Sequence, residues 1–336
     1  VTILLLSILV VYLSVIGIKT NKFNSKIISK IKTIDPNLGL KINDVSAKLN
    51  PFKFGISLKT IGTNIIYRDK TIKIESIKSN ISIKSFVKDK FALTEILIST
   101  KSLPIKDLIY FVRLLNNNTK LFIAEQFIKN GHVVADLKLE FDELGNIKEN
   151  YKINGILRDG KVSLLKKYNF NKIDFIFEIK KKDIIFKDIG FFLNNKNILI
   201  PELIALEKNN KYFISGILNN KNINLNKVDI KNFVKDDFFG LNIQEITFNS
   251  QNNFKFEVAK GLKIKNFYIN SEINLDNLRL INSFKLKKFF PKIKDEISFK
   301  SQKIKLEYKK DNLSISGNGE VFLQEEIDKI KYEILK

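Results

Sequence analysis

From Lys41 onward the chain is dominated by apolar and polar residues that alternate with a period of two. Clear instances are Ile72 with Ile74, Ile81 with Ile83, Phe254 with Phe256 and Val258, Ile304 with Leu306 and Tyr308, and Leu313 with Ile315. Successive side chains of a strand point to opposite faces, so such runs build sheets with one apolar and one polar face. Candidate turns separate the runs at short intervals: Asn50-Pro51, Asp69-Lys70, Asn130-Gly131, Leu144-Gly145-Asn146, Arg158-Asp159-Gly160, Asn194-Asn195, Asn209-Asn210, Asn219-Asn220 and Gly317-Asn318-Gly319. This is the pattern of an antiparallel meander, because parallel strands would need a helix of about a dozen residues between them.

Helical signals are few. Ser102 to Leu115 combines a capping Ser102, Pro104 in the first turn and one apolar face of Leu108, Phe111, Val112 and Leu115. A weaker helix is expected over Asn282 to Phe290, ahead of Pro291. Two or three helices cannot cover so many strands. The apolar face therefore closes on itself as a barrel or sandwich, or curls into a groove that holds something else. Tyr151 to Leu157 (YKINGIL) and Tyr212 to Leu218 (YFISGIL) share their spacing of Tyr, Ile, Gly, Ile and Leu, which fits either a repeated β unit or chance.

The amino-terminal stretch reads differently. Val1 to Ile18 carries no charge over eighteen residues, near the lower limit of ~17–25 for a helix crossing the ~30 Å hydrocarbon layer. No small-residue cleavage site follows, so a retained transmembrane anchor over residues 1–18 is expected in preference to a signal peptide. Phe23, Ile27, Ile28, Ile31 and Ile34 share one helical face with lysines opposite. Residues 19–40 thus read as a basic amphipathic helix and linker, resting on a bilayer or plugging the end of the following sheet. No methionine occurs, even at position 1, and Glu320 to Lys336 still alternates. Both ends are expected to belong to a longer chain.

Formal net charge is +22, carried almost wholly by Lys, with Arg only at Arg68, Arg113, Arg158 and Arg279. Lys is a hydrated point charge without the planar fork that reads bases or phosphates in two-pronged fashion. A solvated surface or anionic lipid headgroups suit that balance better than nucleic acid, which is not expected as a partner. Phe175, Phe177, Phe186, Phe191 and Phe192 alternate as a sheet face does, not as base-stacking platforms.

Catalytic machinery is not legible. There is no Cys, and His132 is the sole histidine, placed at a turn or strand start. Thiolate sites and paired-histidine metal sites are thereby excluded. The acid pairs Asp236-Asp237, Asp295-Glu296 and Glu325-Glu326 are adjacent, which in a strand sends them to opposite faces and in a turn leaves both wet. Phosphate-cradling, zincin and nucleophile-elbow motifs are missing. Neither an enzyme nor a cofactor is expected.

An apolar anchor, a basic amphipathic segment, the strand pair Ile42 to Leu58 (INDVSAKLNPFKFGISL) with its Asn50-Pro51-Phe52 turn, and then a Lys-rich meander together resemble the start of the AsmA-like family. That resemblance is sharpest over about the first 110 residues. It implies a mainly β fold: a transmembrane helix followed by one long, curved, taco-like antiparallel sheet over residues 41–336, with two or three short helices. It further implies an inner-membrane anchor, a periplasmic body and a groove for phospholipid acyl chains moving toward the outer membrane. A client polypeptide added to the sheet, in envelope protein assembly, is the alternative. The family offers no invariant site residues, so groove lining is assigned by alternation alone to Phe52, Phe54, Ile72, Ile74, Ile81, Ile83, Phe175, Phe177, Phe254, Phe256, Ile304 and Leu306. A register error of one residue would send a strand's set to the other face.

Overall fold

The computed structural model describes every residue except 1, 23, 26–27, 30–31, 33–35, 68–69, 89, 91, 116–124, 165–167, 182, 210, 234–241, 260–262 and 282–290. The chain is mainly β and divides into two compact units, Val1–Ile184 and Ile185–Lys336. The expected helix over 282–290 and the pair Asp236-Asp237 lie outside the described residues.

Helix α1 spans Thr2–Val15, and none of its residues is buried. Ser7 and Ser14 donate to the carbonyls of Ile3 and Val10, so the hydroxyls on this apolar helix are satisfied within it. The N–H groups of Ile16 and Gly17 both donate to the Tyr12 carbonyl, and Gly17 takes φ +73°. That left-handed residue ends the helix three residues before the expected Ile18 and turns the chain into β1, Ile18–Thr20. Fourteen residues at ~1.5 Å each give ~21 Å, short of the ~30 Å hydrocarbon layer. Among the described residues no helix is long and apolar enough to cross a membrane.

The first unit continues with β2 (Leu38–Lys41), β3 (Asp44–Asn50), β4 (Gly55–Ile61), β5 (Thr63–Tyr67), β6 (Lys70–Ser82), the short helix α2 (Ile83–Val87), β7 (Leu93–Thr100), β8 (Leu103–Pro104), helix α3 (Ile105–Leu115), β9 (Ile128–Glu140), β10 (Lys152–Leu164) and β11 (Tyr168–Lys180). Every pairing is antiparallel: β1 with β3, β3 with β4, β4 with β6, and β6 onward through β7, β9, β10 and β11. β5 joins β6 to β2 alongside. Registry places Ile77, Ile98, Leu137, Ile153 and Ile179 in one apolar row across five strands. Helix α3 starts three residues later than expected because Leu103 and Pro104 pair with Val133 and His132 of β9. Its Ile105 and Leu108 then cover one end of the apolar face, over Tyr67, Ile72, Ile74, Leu103, Val133 and Leu157. Ile28, in the partly described amphipathic segment, packs on a second small core of Leu40, Ile42 and Val45.

The second unit opens within β12 (Asp183–Leu193) and runs through β13 (Lys196–Lys208), β14 (Lys211–Asn226), helix α4 (Lys227–Phe233), β15 (Asn242–Val258), β16 (Ile264–Ile281), β17 (Glu296–Lys309), β18 (Asn312–Phe322) and β19 (Asp328–Leu335). From β13 to β19 each strand pairs antiparallel with the next. Asn194-Asn195 and Lys310-Asp311 both carry two positive φ values, the two-residue hairpin turns that match the twist of flanking strands. A closed core of Leu280, Ile297 and Val321, with Phe299 and Leu323 beside it, lies here.

Several expected turns are not turns. Asn130-Gly131, Arg158-Asp159-Gly160, Asn219-Asn220 and Gly317-Asn318-Gly319 lie inside β9, β10, β14 and β18, and His132 lies inside β9. Asp159 (φ +51°) sits at a break in register, as does Asn222 (φ +50°) beyond Asn219-Asn220, so these polar runs are β-bulges. Leu144-Gly145-Asn146 is a turn, with Asp142 accepting from the N–H of Leu144 and of Asn146.

Candidate functional site

Bulges govern which residues surface together in the second unit. The Asn222 N–H donates to Asn249 (2.8 Å), the Asn249 amide donates to Asp276 (3.2 Å), and Ser301 (φ +49°) occupies the facing break on β17. Asn222, Asp276 and Ser301 lie at breaks in register and, with the paired Asn249 between the first two, form one transverse line across β14 to β17. Each bulge raises the local twist, so a line of them bends a sheet without help from a packed helix. Asn266 (φ +51°) marks a further break near the start of β16, beyond which Phe267 alternates with Ile269 and shares the face that Phe256 occupies.

That face carries a chain of aromatic rings. Phe254 stacks on Phe256 (6.1 Å), Phe256 meets Phe267 (6.3 Å), and Phe267 meets Tyr308 (6.1 Å). Ile269 pairs with both Phe254 and Tyr308, while Ile304 and Leu306 lie on the same face beyond them. These residues are half-buried, except Phe267, which is exposed. From β14 to β18 the rows through Gly216, Leu218 and Asn220 hold no charged side chain on this face. Their only polar interruption is a neutral belt in which Asn220 and Asn252 both donate to the Ser250 hydroxyl (2.9 and 3.0 Å), beside buried Ser271.

Two glycines explain how the rings lie flat. Gly155 pairs with Phe177 and Gly216 with Phe254, and an added Cβ at either would meet a ring carbon at 2.4 or 2.8 Å. A Phe ring thus lies over a bare backbone at the same place in each YxIxGIL stretch, and a bulge follows each. The two stretches therefore share a structural role.

The charges sit on the opposite face. Glu245 accepts from the Asn224 amide at 3.0 Å and from Arg279 Nη2 at 2.8 Å, which together hold its carboxyl below the usual range. In the first unit Glu178 is pulled down to about 2 by Lys180 and then by Lys152. There Ser57, Asn80, Glu95, Lys138, Glu140 and Asn150 form an unbroken ladder of hydrogen bonds and ion pairs across β4, β6, β7 and β9 to the loop before β10. A cavity of about 700 Å³ lies along this ladder. The ladder's side chains already satisfy one another, which marks a staple between strands. Among the described residues no three His, Asp or Glu side chains converge as metal ligands.

The assigned lining residues divide accordingly. Phe254, Phe256, Ile304 and Leu306 come together on the half-open face of the second unit. Ile72 and Ile74, 5% and 3% exposed, sit in the closed core under α3, and Phe175 and Phe177, which meet each other edge to face at 6.1 Å, pack against it. Ile81 stays half-buried on β6, but Ile83 begins α2. Phe52 and Phe54 line nothing. They lie in and just after a single 3₁₀ turn, Pro51–Lys53, 97% and 72% exposed, and Phe54 is left-handed at φ +44°. Pro51 withholds an N–H and the Asn50 side chain caps the turn, which breaks the strand that alternation extends through them. Phe267, absent from the assigned set, reaches the face of Phe256 by plain alternation with Ile269 and Ile273. No protein-family model, curated protein or solved structure matches the chain.

Proposed function

We propose that this chain is a membrane-anchored, AsmA-like envelope protein whose apolar sheet faces bind phospholipid acyl chains in passage between the inner and outer bacterial membranes. In this reading α1 holds the chain in the inner membrane, the body lies in the periplasm, and no chemistry is performed. The observation that carries it is the aromatic chain Phe254, Phe256, Phe267 and Tyr308 on an uncharged, half-open face. Flat rings beside Ile269, Ile304 and Leu306 offer dispersion contact to a hydrocarbon and no hydrogen bonds to compete with water, whereas the opposite face keeps the charges solvated. The apolar helix α1, with its serine hydroxyls satisfied internally, suits a hydrocarbon environment.

The test is lipid extraction and mass spectrometry on the purified full chain after detergent exchange, paired with uptake of a fluorescent acyl lipid. Co-purifying phospholipid is expected, together with uptake that falls about tenfold in Phe256→Glu while the circular dichroism spectrum is retained. A chain that carries no phospholipid and takes up no probe would refute the reading. Crosslinks from position 256 to polypeptide but not to lipid would instead favour a client-binding role.

A further inference from the structure

At the end of the first unit that carries α1, one face of the sheet is basic. Registry sets Lys19 opposite Ser46, Ser46 opposite Lys59, and Lys59 opposite Lys78, so three lysines stand in one transverse row across β1, β3, β4 and β6. All three are exposed, and none has a carboxylate partner among the described residues. Elsewhere on the same face Lys138 and Lys152 are each paired with glutamates. Like charges directly opposite, as Lys59 and Lys78 are, disfavour the sheet unless an anion lies between them.

The helix leaves from this same face. Lys48 lies two residues along β3 from Ser46, and its Nζ donates to the Val15 carbonyl at 2.6 Å, at the end of α1. Gly17 then sits so close to β3 that a Cβ there would meet the Ala47 carbonyl oxygen at 2.4 Å. The apolar helix and the lysine row are therefore joined without an intervening linker. If α1 is in a bilayer, the row stands at the headgroup layer.

Resting on the membrane-anchor reading above, we infer that Lys19, Lys59 and Lys78 form a docking surface for the anionic lipid headgroups of the bilayer that holds α1. An apolar insert alone gives reversible attachment, and a basic patch supplies the second signal that makes it stable. Each lysine near an anionic surface strengthens binding about fivefold, so the three together contribute roughly a hundredfold at low salt.

The test uses the full chain and two vesicle compositions, neutral phosphatidylcholine and the same lipid with phosphatidylglycerol, read by co-flotation across a salt series. Neutral vesicles report α1 by itself. Wild type is expected to prefer the anionic vesicles by roughly a hundredfold, with the preference fading at high salt. The variant Lys19→Gln/Lys59→Gln/Lys78→Gln should keep neutral-vesicle binding and lose most of the preference. A control with the same charge removed from the second unit, Lys303→Gln/Lys305→Gln/Lys331→Gln, should retain it. Equal loss in both variants, or an undiminished preference in the first, overturns the docking surface while leaving the anchor standing. Failure of the wild type to bind neutral vesicles overturns the anchor instead, and absence of binding to either composition removes both.

Discussion

At the residue scale the Gly and Phe pairs are the sharpest device in the fold. Phe177 and Phe254 lie flat because Gly155 and Gly216 offer no Cβ beneath them. Gly216→Val forces the Phe254 ring off the backbone and should destabilise the chain by ~1–3 kcal/mol, the usual penalty of overpacking, as read from urea unfolding. Gly190→Ala, whose Cβ would meet only Leu199 at 3.5 Å, should lie within about 0.5 kcal/mol of wild type. Equal losses would mean that the rings do not need the bare backbone. Glu178 gives a second test at this scale. Its carboxyl is depressed from 4.5 to about 2 by Lys180 and Lys152, so the stabilisation is complete above pH 4.5 and fades as pH falls toward 2. The stability gap between wild type and Glu178→Gln should therefore narrow across that window, and a gap that is unchanged at pH 2 would contradict the ion-pair origin. The alternation of Phe254 with Phe256 was legible in the chain. So was that of Phe267 with Ile269, but not that these two runs lie side by side, because pairing between strands is set by registry and not by alternation within a strand.

Among elements, the contrast is between covered and uncovered parts of one kind of surface. Helix α3 closes the apolar face over Leu157 and Val133, whereas no described helix packs on the rings around Phe256. Leu157→Ala should cost ~2–4 kcal/mol through the cavity it leaves. Phe256→Ala should cost less than about 1.5 kcal/mol while lowering acyl-probe uptake. If Phe256→Ala proves the more damaging to stability, the face is a closed core. Alternation cannot separate these environments, since both faces read identically along a strand and only the position of a distant helix distinguishes them. Asn, Asp and Gly were equally ambiguous. They mark hairpin turns at Asn194-Asn195 and Leu144 to Asn146, but bulges at Asp159 and Asn222, because both uses exploit the same tolerance of positive φ.

For the whole molecule, the antiparallel pairing and the scarcity of helices follow from periodicity, whereas the strand count does not, because turn-like runs such as Asn219-Asn220 and Gly317-Asn318-Gly319 continue within strands. The length of α1 does not, since the three residues lost to Gly17 and β1 depend on a pairing with β3 far along the chain. Half-open apolar faces on a native protein should bind the dye ANS at neutral pH with the near-ultraviolet circular dichroism intact, and added phospholipid should displace the dye. Weak dye binding in the lipid-free chain would mean that the faces are closed.

Among the described residues of the second unit, each strand from β14 to β18 pairs with its predecessor and its successor. Such a ribbon behaves as a one-dimensional stack whose stability is a sum of adjacent terms, with no keystone strand. Removing or inserting a two-strand hairpin keeps inside and outside in phase, because an even number of strands preserves both direction and parity. Span is then an adjustable dimension of this architecture, open to genetic drift in steps of one hairpin, while the character of its two surfaces is inherited unchanged.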